Sequence, residues 1–141
     1  MIAHLRLFGV ALAIVVLTLS KAPAGEDVSG VVTHVRDGDT IEVGAIVIRL
    51  QGLHAPEPDE LGGKEASDFM VQLVMGQQLE CKLTGERSFD RLIGSCFLNG
   101  EDIAALLIAA GFGRDCPRYS GGRYANLDRR PDMPLPDYCI P

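Results

Sequence analysis

The residues best suited to chemistry lie in two short segments. The first is Arg36-Asp37-Gly38-Asp39-Thr40-Ile41, and the second, residues 49–57, begins with Arg49 and ends with Glu57. Attack on a phosphodiester builds negative charge on the equatorial oxygens, and forked bonds from an arginine stabilise that charge. A carboxylate can orient or deprotonate the attacking water. These residue types therefore suit cleavage of phosphodiester bonds.

Each segment also has an explanation without chemistry. Asp37-Gly38-Asp39 is typical of a tight turn, because Asp and Gly favour turn conformations. Arg49 and Glu57 could form a surface ion pair. A functional interpretation therefore depends on several motifs occurring together.

The spacing of apolar residues predicts the elements that position these side chains. The predicted elements are strands at 28–35, 40–43 and 46–50, a helix at 64–75, a strand hairpin at 78–83 and 92–98, and a second helix at 101–110. Gly76 and Gly111 end the two helices, and Asn99 or Asp102 lies near the start of the second.

This order predicts a mainly β, α+β domain. The natural candidate is an OB-fold, a five-stranded and partly open barrel with two packed helices. Periodicity alone also allows another small α+β domain. A chain of 141 residues with 47% hydrophobic residues has room for a single domain with one core.

The first 24 residues have the pattern of a secretory signal peptide. Arg6 supplies a basic start, residues 7–20 form an apolar run, and Ala22-Pro23-Ala24 is a typical cleavage site. A retained membrane anchor is the alternative, but spanning a bilayer takes roughly 20 apolar residues. We expect a bacterial secreted or periplasmic protein, residues 25–141, with no stable membrane association after cleavage.

The charge argues against strong nonspecific binding to nucleic acid. The net charge is −6, and residues 25–141 hold 11 basic and 19 acidic residues, which gives −8. An acidic body predicts weak, salt-sensitive binding to a polyanion. Five arginines within 114–130 soften this objection locally, although a solvated tail explains them equally well.

Four cysteines in an exported chain predict two disulfides, for which three pairings exist. The strand hairpin favours Cys81 with Cys96, which leaves Cys116 with Cys139. The second bond would hold an irregular tail, residues 113–141, that is rich in proline and glycine. Zinc binding suits these cysteines less well, because the chain has neither a CxxC pair nor histidines near them.

Four motifs together resemble the staphylococcal nuclease family. They are Asp37-Gly38-Asp39-Thr40-Ile41, the Arg49 to Glu57 segment, Gly63-Lys64-Glu65-Ala66-Ser67, and residues 102–111, in the family's order and approximate spacing. The resemblance covers roughly residues 28–113. It implies an OB barrel with added helices, and secreted members of the family cleave DNA and RNA using calcium.

The resemblance also implies roles for individual residues. Arg49 and Glu57 match the first catalytic arginine and the catalytic glutamate. Counting back from Asn99-Gly100 places Arg91 at the second catalytic arginine, and Arg87 is the competing assignment.

The predicted calcium ligands are Asp39 and the backbone carbonyl of Ala55. Where active members place a second aspartate, this chain has His54. Calcium prefers oxygen ligands, so an imidazole would weaken the site or redirect it towards manganese or another divalent metal. His54 could instead act as an acid or base, or have no chemical role.

The positions that contact nucleotides have drifted as well. Phe89 replaces a tyrosine, although its ring can still stack on a base, and Tyr119 matches an aromatic position beside the nucleotide. Residues 128–141 contain too much proline to form the family's final helix.

Two functions remain open. One is a metal-dependent nuclease that binds single-stranded DNA or RNA. The other is a catalytically impaired OB module that binds a partner or assists cell-envelope or exopolysaccharide assembly. A monomer is expected in either case.

Overall fold

A computed structural model describes residues 25–141, in which five strands close into a barrel. The strands among these residues are β1 (Asp27–Asp37), β2 (Thr40–Val43), β3 (Ile46–Leu50), β4 (Leu53–His54), β5 (Gln78–Ser88), β6 (Arg91–Leu98), β7 (Glu101–Asp102) and β8 (Arg114–Asp115). The barrel is formed by β1, β2, β3, β5 and β6. The helices are α1 (Gly63–Val74), α2 (Ile103–Ala109), α3 (Pro117–Ser120) and a 3-10 helix (Asp137–Cys139). The predicted signal peptide, residues 1–24, lies outside the described residues.

Pairing of β3 with β6 closes the barrel. The sheet order is β3-β2-β1-β5-β6-β7, and β3 also pairs in parallel with β6, with Ile48 opposite Leu92 and Leu50 opposite Gly94. The other barrel pairs are antiparallel. This five-stranded ring with few helices confirms the predicted OB-fold.

Apolar side chains from the strands and both longer helices fill the barrel. Helix α1 contributes Ala66, Met70 and Val74, which recur every four residues and therefore share one face. The strands contribute side chains such as Ile41 and Ile48, which are fully buried. Burying this surface is the main force that holds the helices on the barrel.

Two strands are longer than predicted. β1 extends to Asp27, which pairs with Lys82, and β5 extends to Ser88, which pairs with Arg91. These added residues are mostly polar, and backbone pairing rather than apolar alternation holds them in the sheet. Helix α2 begins after Asp102, whose carboxylate accepts the backbone N–H of Ala104 at 3.0 Å.

The C-terminal tail is held by a disulfide as predicted. Cys116 is bonded to Cys139, and Cys81 is bonded to Cys96 from the opposite position on the neighbouring strand. The tail is less irregular than expected, because β8 pairs with β4 and two short helices follow. Within residues 25–141, no helix is long and apolar enough to cross a membrane.

Candidate active site

Asp39 lies in the turn between β1 and β2, where the chain passes close to α1. A Cβ atom at Gly38 would lie 2.7 Å from the Cβ of Ala55 and 2.9 Å from that of Ala66, so only glycine fits. Asp39 is 3% exposed, and its carboxylate accepts the backbone N–H of Ala55 at 3.2 Å. The Asp-Gly-Asp sequence is therefore a close packing point as well as a turn.

Arg49, on β3, forms an ion pair with Asp39. Its Nη1 lies 2.5 Å from Oδ2 of Asp39 and also donates to the carbonyl of Leu53 at 3.1 Å. Both contacts use Nη1, and the guanidinium also lies beside the hydroxyl of Tyr138. Burial raises the pKa of Asp39, while the Arg49 guanidinium and the Ala55 N–H act in the opposite direction.

Arg91, at the start of β6, is held by the neighbouring strands. Its Nη1 donates to Oγ1 of Thr40 at 3.3 Å, and its Nη2 donates to Oγ of Ser88 at 3.0 Å. Thr40 in turn donates to Oδ1 of Asp39 at 3.1 Å. A chain of polar contacts therefore connects Arg91 to Arg49 through Thr40 and Asp39.

Glu57 lies in a turn that packs against the start of α1. Its backbone N–H donates to the carboxylate of Glu60 at 2.9 Å, and its carbonyl accepts from the N–H of Glu60 at 2.9 Å. A Cβ atom at Gly63 would lie 1.7 Å from the Glu57 carbonyl oxygen, so glycine is required for this packing. Burial and the charge of Asp37 raise the pKa of Glu57, while Arg49 lowers it.

These side chains meet in one cleft of about 740 Å³. Of the sequence-predicted residues, Arg49, Glu57, Phe89, Arg91 and Tyr119 line it. Asp39 is not among the lining residues and contacts the cleft through Arg49. The structure thus brings together both predicted catalytic arginines, the predicted catalytic glutamate and both predicted substrate-binding aromatics.

The cleft differs in charge from the protein as a whole. Its lining contains Arg87 and the two predicted catalytic arginines, and its acidic lining residues are Glu57 and Glu86. Within residues 25–141, this cleft is lined by none of the five arginines at 114–130. One of them, Arg114, is paired with Asp128 instead. Attraction for an anion therefore arises locally, despite the acidic net charge.

Two aromatic residues, Phe89 and Tyr119, contribute rings to the lining of the cleft. Phe89 is 93% exposed at the tip of the β5–β6 hairpin, where its φ is +58°, in the left-handed region. Its ring centroid lies 5.9 Å from Cζ of Arg91. Tyr119, on α3, is half-exposed. Exposed rings beside arginines are suited to stacking on bases.

Of the predicted metal ligands, Asp39 and Ala55 are in contact with each other, whereas His54 contacts Tyr138. His54, at the end of β4, is buried and its Nδ1 lies 3.2 Å from the hydroxyl oxygen of Tyr138. Burial and the nearby Arg49 lower the pKa of His54, which favours the neutral imidazole. Among residues 25–141, no group of three or more His, Cys, Asp or Glu side chains is placed to hold a metal ion.

Sequence reasoning missed two residues of the site. Thr40 connects Asp39 to Arg91, and Tyr138 lines the cleft from the C-terminal tail. Tyr138 could have been found, because it precedes Cys139 and the predicted bond to Cys116 brings it near Tyr119. Thr40 gave no such signal, since its role depends on the pairing of strands distant in sequence.

The sequence is similar to those of known proteins. The sequence profile described as "Staphylococcal nuclease homologue" matches residues 47–129, more than half of the chain. The succinoglycan biosynthesis protein ExoI of Rhizobium meliloti is 33% identical over 139 aligned positions, which cover 90% of this chain and 72% of that protein.

Two further relatives are named as nucleases. An uncharacterized endonuclease of Escherichia coli is 32% identical over 90 positions, which cover 60% of this chain and 59% of that protein. The staphylococcal-like nuclease CAN1 of Arabidopsis thaliana is 31% identical over 64 positions, which cover 45% of this chain and 20% of that protein. The profile match, together with these relatives, shows that the chain belongs to the staphylococcal nuclease family.

Proposed function

We propose that this protein is a nuclease that hydrolyses phosphodiester bonds of single-stranded DNA or RNA. The observation that carries the proposal is the convergence of Arg49, Glu57 and Arg91 on one cleft. The two arginines are preorganised by their contacts with Asp39, Thr40 and the adjoining strands.

The proposed reaction follows from what each side chain can do. Arg49 and Arg91 bind the non-bridging phosphate oxygens and stabilise the charge that develops as water attacks. Glu57 accepts a proton from that water or orients it, and its raised pKa makes the carboxylate a stronger base. Phe89 and Tyr119 stack on the bases next to the scissile phosphate, which positions the backbone in the cleft.

A calcium ion does not fit the residues as they are arranged. Calcium takes six to eight oxygen ligands, whereas both oxygens of Asp39, the predicted carboxylate ligand, already accept contacts from protein groups. His54 is directed to Tyr138. The proposed reaction therefore includes no metal step, and dependence on calcium, manganese or another divalent ion is a separate proposal that rests on family membership.

The biological setting is likewise proposed. The pattern of residues 1–24 supports export to the periplasm or the medium, where disulfides such as Cys116–Cys139 persist. A monomer without stable membrane association is the expected mature form. Its substrate would be nucleic acid outside the cytoplasm.

Hydrolysis of labelled single-stranded DNA and RNA by the disulfide-intact protein tests the proposal. The assay is run with calcium, with manganese and with a chelator. DNA and RNA are incubated under the same conditions and for the same time. We expect at least one of the two polymers to be cleaved. Activity that survives the chelator would reject metal dependence, and absence of cleavage in every condition would reject the nuclease.

A second function, an accessory role in exopolysaccharide assembly, is favoured by one comparison. The relative from Rhizobium meliloti, which covers 90% of this chain, is named a succinoglycan biosynthesis protein. The replacement of an acid by His54 agrees with an impaired catalyst. Binding of an acidic exopolysaccharide, measured beside single-stranded DNA at equal charge concentration, separates the two functions, because this role requires a preference for the polysaccharide.

A further inference from the structure

The C-terminal tail delivers a tyrosine to the candidate active site. Tyr138 lies in the 3-10 helix next to Cys139, whose bond to Cys116 ties this segment to the start of α3. Cys116, Tyr119 and Tyr138 line the same cleft as the two catalytic arginines. One wall of the cleft is therefore built by a segment that the disulfide holds in place.

Tyr138 is packed on one side and open on the other. Its hydroxyl oxygen lies 3.2 Å from Nδ1 of His54, and its ring meets the imidazole at 78° with the centroids 6.2 Å apart. His54 is buried, and β4 is paired with β8, whereas Tyr138 is half-exposed. The histidine and the neighbouring Arg49 guanidinium thus hold the hydroxyl in position, while Tyr138 lines the cleft and keeps about half of its surface exposed.

We propose that Tyr138 is a substrate-binding residue whose hydroxyl donates a hydrogen bond to a phosphate oxygen of single-stranded nucleic acid. This inference rests on the proposed function. A neutral imidazole carries one N–H, and when Nδ1 carries it, the phenolic oxygen accepts and the phenolic O–H is free to donate into the cleft. His54 then acts as a positioning residue for Tyr138 rather than as a metal ligand.

The proposal explains two departures from the family pattern together. Phe89 has no hydroxyl to offer the substrate, and Tyr138 supplies one in the lining of the same cleft. The tail does not form the family's final helix, and the Cys116–Cys139 bond gives it a fixed position instead.

Substitution of Tyr138 with phenylalanine tests the hydroxyl alone. Binding of a fluorescein-labelled single-stranded DNA oligonucleotide is measured by anisotropy in chelator, and hydrolysis is measured in parallel. We expect Tyr138→Phe to raise Kd and KM about tenfold and to leave kcat within about twofold, because a bond made equally in ground and transition states affects binding alone. Tyr124→Phe is the control, since that hydroxyl contacts Asp102 outside the cleft.

A second pair of variants tests the disulfide. Replacing Cys116 and Cys139 with alanine should raise Kd at least as much as Tyr138→Phe does, and adding Tyr138→Phe to that variant should change Kd little further. Replacing Cys81 and Cys96 with alanine removes the other disulfide, away from the cleft, and should leave Kd unchanged. Circular dichroism spectra verify that each variant is folded.

The outcomes separate this inference from the proposed function. Unchanged Kd and KM in Tyr138→Phe would overturn the inference, and so would equal losses of affinity in the two disulfide variants. If the wild-type protein binds DNA without cleaving it, the nuclease proposal fails, and Kd alone still decides the role of Tyr138. A wild-type protein that neither binds nor cleaves overturns both.

Discussion

Nη1 of Arg49 lies 2.5 Å from Oδ2 of Asp39, and both side chains are largely buried beneath the cleft. A buried pair of this kind is strongly destabilised when one partner is removed, because the remaining charge has no compensation. The same arginine lines the cleft, so one ion pair links the stability of the barrel to the position of a proposed catalytic residue.

Arg49→Met should therefore lower the free energy of unfolding by about 3 kcal/mol. Adding Asp39→Asn should recover part of this loss, since the unpaired charge is then absent. Urea unfolding of the wild type, the two single variants and the double variant gives the coupling energy. The same double-mutant cycle on the exposed pair Lys64 and Asp68 should give a coupling energy of less than about 0.5 kcal/mol. Equal coupling in the two pairs would contradict the prediction.

Arg91→Lys should reduce kcat about 100-fold, because an ammonium cannot reproduce the forked contact with phosphate. Arg87→Lys should change kcat only a fewfold. Arg91 is fixed by Thr40 and Ser88, whereas Arg87 is exposed on the hairpin. Steady-state kinetics of both variants decides between the two assignments, and a larger loss at position 87 would reverse them.

The rate should depend on the ionisation of Glu57. Burial and the charge of Asp37 raise its pKa, so activity should be present above a midpoint higher than that of an ordinary glutamate and be lost as pH falls through it. Asp37→Asn keeps the oxygen that accepts from the Asp39 N–H and should lower the midpoint. Asp68→Asn, on the exposed side of α1, should leave it unchanged. Profiles of kcat against pH measure these shifts.

Tyr124 should stabilise the connection between the tail and α2. Its hydroxyl donates to Asp102 at 2.6 Å. Burial, and to a lesser extent this contact, raises the pKa of Tyr124. Tyr124→Phe should lower the free energy of unfolding by about 2 kcal/mol. The difference in unfolding free energy between the variant and the wild type should have its full value below pH ~10, the ordinary phenol pKa. This difference should shrink as the pH rises above that value. A difference that stays constant at higher pH would contradict this account.

Much of the barrel could be predicted from sequence because local patterns determine it. β2 and β3 have the predicted limits, since β-branched alternation and adjacent turn residues define them. The disulfide between Cys81 and Cys96 followed from the same hairpin pattern. The extensions of β1 and β5 could not be predicted, because backbone pairing between distant strands stabilises them without an apolar pattern.

The candidate site, like the barrel, could be predicted from the sequence only in part. Arg49, Glu57 and Arg91 were found through motifs whose order matches a family. The contacts of His54 and Tyr138 could not be found that way, because they depend on how a tail without periodicity packs across the barrel. The ion pair between Arg49 and Asp39 is local by contrast, because Thr40, the residue after Asp39, lies opposite Arg49 in the predicted β2–β3 hairpin.

The most direct test of the account compares Glu57→Gln with Glu60→Gln in the hydrolysis of a single-stranded oligonucleotide. Glu60 contacts the Glu57 backbone and is the matched neighbour, since glutamine keeps an acceptor oxygen there. We predict that Glu57→Gln lowers kcat at least about 100-fold with Kd unchanged, while Glu60→Gln stays within a few fold of wild type. Equal rates in the two variants would contradict the claim that Glu57 acts in phosphodiester hydrolysis.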